Sequence, residues 1–154
     1  MNAANARKSV AVIHGPNLNL LGTREPDVYG AATLDDIDAS IRALAGKLGC
    51  EVSSSQHSGE GQIIDAVHAA AAAGSAIVIN PGAYAHYSLA IRDALSAARV
   101  PKVEVHLTNI FAREIFRRSS VIAPAVDGVV AGFGAESYLL ALRAVAAMLD
   151  KQRD

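Results

Sequence analysis

Residues able to bind an anion or move a proton recur at the carboxyl ends of three strands that the sequence predicts. Arg24 and Tyr29 lie in the long segment after the first strand, Asn80 and His86 follow the third, and His106 ends the fourth. In a parallel sheet these ends meet at one edge, which is where α/β proteins bind ligands. A guanidinium, a phenol, an amide and two imidazoles together suit a small, polar, anionic ligand.

Two further cations follow the fourth predicted strand. Arg113 and Arg117 are four positions apart, a spacing that predicts one shared face of a helix. Two guanidinium groups on one face can hold a carboxylate. The segment is therefore predicted to bring a carboxylate site to the same edge of the sheet.

Several of these side chains also have ordinary structural interpretations. Arg24 and Tyr29 could be solvated loop residues, and His106 could be a hydrogen-bonded core histidine. His14 fits a role in a backbone turn better than a role in the site. No spacing of histidines and carboxylates on one element indicates a metal site, so no metal is expected.

Short runs of β-branched residues alternate with amphipathic segments, a pattern typical of a parallel sheet covered by helices. The clearest helix begins at Thr33, with Asp36 three residues on as in a capping box, and ends at Gly49. The pattern predicts an α/β fold, a flavodoxin-like three-layer sandwich with a five-stranded parallel sheet. The predicted strands are residues 9–13, 51–55, 76–79, 103–105 and 128–131, and the other predicted helices are about 62–73, 88–98 and 136–149.

The connection after the first strand, residues 14–30, is longer than the roughly two to six residues usual in α/β proteins. A connection of this length usually forms a lid or a binding loop. Pro16 and Asn17 occupy its turn in place of the glycines that cradle a phosphate, which disfavours a flavin or dinucleotide site. A flavodoxin-like redox module carrying a flavin is the alternative function, and a yellow purified protein would favour it.

The length of 154 residues predicts a single domain, residues 1–154, with a polar extension at 1–7. Charged residues are 19% of the chain, below the roughly 25% of an average soluble protein, so part of the surface is expected to be buried in a homo-oligomer. A net charge of −1 without a basic block disfavours nucleic acid. The lone Cys50 favours a reducing compartment, and no segment has the pattern of a signal peptide or membrane span, so the cytoplasm is predicted.

Three blocks of the sequence, in order and without large gaps, carry a resemblance to a known family. They are GPNLNLLG with REP and YG within residues 15–30, NPGAY at 80–84, and EVH with RE and FR within 104–117. On these blocks the chain resembles type II 3-dehydroquinate dehydratase, or type II dehydroquinase, over about residues 8–149. It departs from the family pattern at His14, where Asn is frequent, and at Thr108, where Ser is usual.

That resemblance implies dehydration of 3-dehydroquinate to 3-dehydroshikimate in aromatic amino-acid biosynthesis, without a cofactor, by a dodecamer. It implies Tyr29 as the proton acceptor, His106 as the proton donor and Arg24 as the stabiliser of the transition state. Asn17 would hold a water on the developing enolate. The substrate-binding positions that the resemblance and the strand ends suggest are Asn80, Gly82, His86, Asp93, Leu107, Thr108, Arg113 and Arg117.

Asp93 stands apart from the others because it lies in the third main helix, seven residues after His86. Seven helical residues span about 10 Å, which is too far for both side chains to reach one ligand easily. The resemblance likewise implies that this aspartate is contributed across a subunit boundary. Asp93 is therefore expected to serve a neighbour's site.

The substrate so implied is a β-hydroxy ketone, whose dehydration can run through an enolate or through a Schiff base. The four lysines lie at strand starts, in a helix and in the tail, away from the ligand edge, which favours the enolate. An ordinary phenol has a pKa near 10, so a tyrosine that acts as a base needs a cation beside it. Arg24 and Arg113 are the candidates, and closure of the loop would bring Arg24 to Tyr29.

Overall fold

The computed structural model of the protein describes residues 7–23 and 25–154. Its strands form one sheet in the order β2-β1-β3-β4-β5, and all neighbouring strands pair in parallel. This is the doubly wound, flavodoxin-like order, so the predicted fold class is confirmed. The strands are β1 (Lys8–His14), β2 (Cys50–Gln56), β3 (Ala76–Asn80), β4 (Lys102–His106) and β5 (Gly128–Ala131).

Helices cover both faces of the sheet. They are α1 (Pro26–Tyr29), α2 (Leu34–Leu48), α3 (Glu60–Ala72), α4 (Leu89–Ala97) and α5 (Glu136–Lys151). The sequence predicted the four longer helices to within two residues at each end, and it did not predict the single turn α1. No helix within the described part of the chain is both long and apolar enough to cross a bilayer.

The core consists of two apolar layers, one on each side of the sheet. On one side α2 and α5 pack against Val10, Val12 and Val78. On the other side α3 and α4 pack against Ile77 and Ile79. Because side chains alternate between the faces of a strand, these short buried strands supply both layers and hold their carboxyl ends in fixed positions.

Helix α2 begins with the capping box that the sequence predicts. The Thr33 side chain accepts from the backbone N–H of Asp36 across 3.1 Å, and the Thr33 N–H donates to the Asp36 carboxylate across 3.0 Å. Gly49 ends the helix in the left-handed conformation, at φ +69°. Both ends of α2 are therefore set by local side-chain and backbone chemistry.

Replacing Thr33 by alanine should lower the free energy of unfolding by about 1 kcal/mol, because the first turn of α2 loses its side-chain acceptor. Urea denaturation followed by circular dichroism measures this loss. Thr33→Ser is the matched control, since it keeps the hydroxyl and should stay close to wild type. Equal losses in both variants would show that the threonine methyl group, and not the cap, stabilises the turn.

Candidate active site

A cavity of about 200 Å³ lies at the carboxyl edge of the sheet, lined by residues that follow β1, β3 and β4. In a sheet of this order the ligand site is expected where the strand order reverses, between β1 and β3. Ten of the twelve predicted site residues line the cavity, namely Asn17, Tyr29, Asn80, Gly82, His86, His106, Leu107, Thr108, Arg113 and Arg117. The structure therefore brings together residues that are up to 100 positions apart in the chain.

The turns after β1 and β3 touch directly. The Gly15 N–H donates to the Asn80 carbonyl across 2.7 Å, and a Cβ at Gly15 would lie only 2.6 Å from the carbonyl atoms of Pro81. Only glycine allows so close an approach. This contact fixes the two turns that present Asn17 and Asn80 to the cavity.

Arg113 contacts Tyr29 in two ways. Its Nη1 donates to the Tyr29 hydroxyl oxygen across 2.9 Å, and its Cζ lies 5.2 Å from the centre of the ring. The Arg113 side chain is only 17% exposed, so water screens its charge incompletely. Arg113 therefore places a cation directly at the Tyr29 hydroxyl oxygen.

His106 is bound by a buried carboxylate. Its Nε2 lies 2.6 Å from Oε1 of Glu104, which is fully buried, and the Ser120 hydroxyl lies 2.8 and 3.0 Å from the two carboxylate oxygens. A carboxylate only accepts hydrogen bonds, so Nε2 of His106 carries the proton in this pair. The arrangement therefore fixes the orientation of the His106 imidazole.

His86 lies beside His106 with its ring nearly parallel, the two ring centres being 6.4 Å apart. Its Nδ1 lies 2.8 Å from the Ser119 carbonyl oxygen, so Nδ1 is the donor in that bond. In the neutral ring, Nε2 is then an acceptor. His86 can therefore accept a hydrogen bond from a hydroxyl group in the cavity.

The prediction that Arg113 and Arg117 share a helical face is wrong. The segment forms two separate 3-10 turns, Ile110–Ala112 and Ile115–Arg117, and Arg113 lies between them with an extended backbone. The Asn109 side chain accepts from the backbone N–H of Phe111, which favours a short turn over a continuous helix. Both guanidinium groups nevertheless line the cavity.

Glu114 partly neutralises Arg117. The Nε of Arg117 donates to the Glu114 carboxylate across 2.9 Å, whereas the Nε of Arg113 is 3.8 Å from the same oxygen. The pKa of Glu114 lies below its usual value because the carboxylate accepts from its own backbone N–H and lies near both arginines. Glu114 therefore neutralises the charge of Arg117 more than the charge of Arg113.

Comparison with known proteins identifies the family. The family model for dehydroquinase class II matches residues 8–146. The chain belongs to the type II dehydroquinase family. It is 54% identical over 139 residues to the 3-dehydroquinate dehydratase of Pelotomaculum thermopropionicum, covering 90% of this chain and 96% of that protein. The 3-dehydroquinate dehydratase of Geotalea daltonii is 55% identical over 136 residues, with 88% and 94% covered.

Solved structures agree with this membership. The type II dehydroquinase of Propionibacterium acnes matches with a TM-score of 0.88 and 43% identity, over 91% of this chain and 97% of that one. The type II dehydroquinase of Butyrivibrio crossotus gives a TM-score of 0.89 and 41% identity, over 90% and 97%. The α/β sandwich described above is thus the fold of the type II dehydroquinase family.

Two predicted site residues of this type II dehydroquinase remain, Arg24 and Asp93. Arg24 lies outside the described residues. Asp93 is an exposed residue of α4 and is not part of the cavity wall. That Asp93 serves a neighbour's site stays a prediction.

Sequence reasoning missed Glu104 and Ser120 as partners of His106. Glu104 could have been found, because a charged residue in the middle of the buried strand β4 is unusual and lies two positions before His106. Residues two apart in a strand share a face, so the pair could be expected to meet. Ser120 lies in an irregular segment and leaves no such signal.

Proposed function

We propose that this type II dehydroquinase removes water from 3-dehydroquinate to give 3-dehydroshikimate through an enolate, with Tyr29 as base and His106 as acid. One observation carries the proposal: a single cavity holds both side chains, each paired with the group that its role requires. Arg113 donates to the Tyr29 hydroxyl, and Glu104 binds the His106 ring. The names of the relatives supply the substrate and the overall reaction.

The reaction needs one proton removed and one proton supplied. The Tyr29 phenolate takes a proton from the carbon beside the ketone, and the C–H electrons become those of an enolate. When the enolate collapses, the hydroxyl on the β-carbon leaves, and His106 protonates it so that it departs as water. The proton gained by Tyr29 and the proton lost by His106 balance, so one transfer through solvent restores the starting state.

Each of the two groups that transfer a proton has a partner side chain among the described residues. Because Nε2 of His106 is held by Glu104, Nδ1 is the ring nitrogen that meets the substrate in this proposal. Arg113 supplies the cation that favours the Tyr29 phenolate, a role for which the sequence offered Arg24 as well. We keep Arg24 as the proposed stabiliser of the transition state.

The remaining cavity residues bind substrate in this proposal. Asn17, in the left-handed conformation at φ +69°, holds a water against the enolate oxygen. Arg117 attracts the substrate carboxylate, although Glu114 reduces its charge. The hydroxyl and ketone groups of the substrate are bound by Asn80, Gly82, His86, Leu107 and Thr108.

Borohydride with substrate should neither inactivate the enzyme nor add mass to it, because no lysine lines the cavity. Lys8 and Lys102 begin β1 and β4 at the opposite edge of the sheet, and Lys47 and Lys151 lie in α2 and α5. Intact-mass spectrometry after treatment is the measurement. A reduced adduct on any lysine would show that the reaction runs through a Schiff base and not through an enolate.

The alternative of a flavin-carrying redox module is not favoured. The turn after β1 contains Pro16, which lacks the backbone N–H that a phosphate site would use. The two relatives described above are 3-dehydroquinate dehydratases. We therefore propose a reaction without a cofactor.

Exposed apolar side chains support the proposed homo-oligomer, for which the family resemblance suggests a dodecamer. Leu89, the first residue of α4, is 61% exposed, Tyr87 just before that helix is 63% exposed, and Ile115 is 80% exposed. Leu89 and Asp93 are four residues apart in α4 and so share one face of that helix. A subunit contact on this face would bring Asp93 to a neighbour.

The cytoplasm remains the proposed compartment because of the lone cysteine.

Mixed oligomers test the proposed position of Asp93. Tyr29→Phe and Asp93→Ala chains, each inactive alone, should regain activity when unfolded and refolded together. In a random equal mixture about a quarter of the sites would combine a native Tyr29 with a native Asp93 from a neighbour. Each parent refolded alone is the control. Mixed oligomers, verified by native mass spectrometry, that stay inactive would place Asp93 in its own subunit's site or in none.

A further inference from the structure

Ser120 uses the full hydrogen-bonding capacity of its hydroxyl group. The hydroxyl donates to the Glu104 carboxylate, whose two oxygens lie 2.8 and 3.0 Å from the serine oxygen. The serine oxygen in turn accepts from the backbone N–H groups of Ile122 and Ala123, at 3.2 and 3.0 Å. A serine hydroxyl has one proton to donate and two lone pairs that accept. Because all three are in use, the hydroxyl has one preferred direction, toward Glu104.

The carboxylate that Ser120 contacts is the one that binds His106. Glu104 is fully buried in β4, and its Oε1 lies 2.6 Å from Nε2 of His106. The same Oε1 also accepts from the Ser120 hydroxyl. The last torsion of a glutamate side chain is only weakly restricted by itself, so a hydroxyl that contacts both carboxylate oxygens limits their rotation. The three residues thus form a chain of hydrogen bonds that ends at the imidazole in the cavity wall.

The residues on either side of Ser120 are bound to the turn that carries the other histidine of the cavity. The Ser119 carbonyl oxygen accepts from Nδ1 of His86 across 2.8 Å. The backbone N–H of Val121 donates to the Ala85 carbonyl across 2.8 Å. The Ser120 backbone is therefore held on both sides, which gives its hydroxyl a fixed position.

We propose that Ser120 is a positioning residue that holds Glu104, and through it His106, in the orientation that protonates the leaving hydroxyl group. This inference rests on the proposed function, in which Nδ1 of His106 faces the substrate. Ser120 lies outside the wall of the active-site cavity, so its hydroxyl acts on the reaction through Glu104 and His106. Loss of that hydroxyl should misdirect the acid and leave the Tyr29 base in place.

Ser120→Ala should lower kcat for the loss of water by at least about tenfold, the factor expected when a hydrogen bond to a charged group is lost. KM for 3-dehydroquinate should stay within about twofold of wild type, because the substrate contacts remain. Removal of the α-proton by Tyr29 should slow by less than about twofold. Substrate recovered from deuterium oxide should therefore contain more deuterium than substrate recovered from the wild-type enzyme. Steady-state kinetics and mass spectrometry measure these quantities.

Two variants serve as matched controls. Ser120→Thr keeps the hydroxyl, and a second cavity of about 290 Å³ beside Ser120 offers room for the methyl group, so kcat should stay within about threefold of wild type. Ser119→Ala makes the same chemical change at an exposed neighbour and keeps the backbone carbonyl that contacts His86, so kcat should be unchanged. Loss of activity in Ser120→Thr equal to that in Ser120→Ala would show that the hydroxyl is not the group responsible.

Ser120→Cys takes the place of Ser120→Ala if the alanine variant does not fold. A thiol is a weaker donor than a hydroxyl and occupies a similar volume. This variant should lower kcat at least threefold, again with a higher deuterium content in the recovered substrate. A kcat equal to that of wild type in a folded Ser120→Cys would contradict the positioning role.

The Glu104→Gln background separates an effect through the carboxylate from an effect on the turn. Ser120→Ala also removes the acceptor of two backbone N–H groups, those of Ile122 and Ala123. If Ser120 acts through Glu104, adding Ser120→Ala to Glu104→Gln should change kcat by less than about twofold, since the group through which it acts is already altered. Effects of the two substitutions that multiply in the double variant would overturn the positioning role.

The outcomes also separate this inference from the function on which it rests. Absence of any turnover of 3-dehydroquinate by the wild-type enzyme would overturn the proposed function itself, and an equal loss of exchange and elimination in His106→Ala would overturn the proposed acid. Elimination that is lost selectively in His106→Ala but is unchanged in Ser120→Ala would overturn the positioning role alone. Equal slowing of exchange and elimination in Ser120→Ala would likewise overturn it, because a loosened site affects both steps.

Discussion

Tyr29→Phe is expected to lower kcat by about 10²–10⁴-fold, the range that a positioned general base normally contributes. The variant keeps the ring against which the Arg113 guanidinium lies and loses only the oxygen to which it donates. Binding of a carboxylate-bearing substrate analogue should therefore persist. Steady-state kinetics and calorimetric titration with such an analogue measure the two quantities separately.

Tyr84→Phe is the control for this experiment, because it makes the same chemical change outside the cavity. The Tyr84 hydroxyl donates to the Ser58 carbonyl across 3.2 Å, and the residue does not line the cavity. Its kcat should stay within about twofold of wild type, as expected for a weak surface hydrogen bond. If Tyr29→Phe kept more than about a tenth of the wild-type turnover, another group would have to be the base.

His106→Ala is expected to slow the loss of water by about 10²–10⁴-fold, because the leaving hydroxyl loses its proton donor. Removal of the α-proton by Tyr29 should be affected far less. In deuterium oxide, the substrate recovered from this variant should then contain deuterium, since the enolate forms and returns to the ketone without eliminating. Mass spectrometry of the recovered substrate, together with the rate of product formation, gives the two rates.

His68→Ala is a suitable control, since His68 is an exposed residue of α3 outside the cavity wall. Both rates should be unchanged in it. An equal loss of exchange and elimination in His106→Ala would mean that His106 positions the substrate and does not act as the acid. The deuterium content of the substrate thus decides between the two roles of the same side chain.

Local sequence patterns were sufficient to predict the main helices and the strands of this protein. The capping box at Thr33 and the glycine at Gly49 set the ends of α2 within a few residues of sequence. The β-branched runs gave all five strands, short by one residue at one or both ends except for β5. Because parallel strands place their carboxyl ends at one edge, the location of the cavity followed from the same reasoning.

The interior partners of the site could not be predicted in this way. His14 binds Asp38 and Tyr138, which are 24 and 124 positions away, and no spacing rule connects residues so distant. The Arg113 contact with Tyr29 spans 84 positions and depends on an extended backbone where a helix was predicted. Such contacts are decided by how loops pack at the sheet edge, which the sequence pattern does not encode locally.

The reaction itself is the most direct test of this account. Purified protein supplied with 3-dehydroquinate should be colourless and should produce the ultraviolet absorbance of a conjugated enone, at a rate that Tyr29→Phe reduces by about 10²–10⁴-fold. That result would show that the protein dehydrates 3-dehydroquinate and that the reaction depends on Tyr29. A yellow protein carrying flavin, or a preparation that folds as described and forms no enone from 3-dehydroquinate, would contradict it.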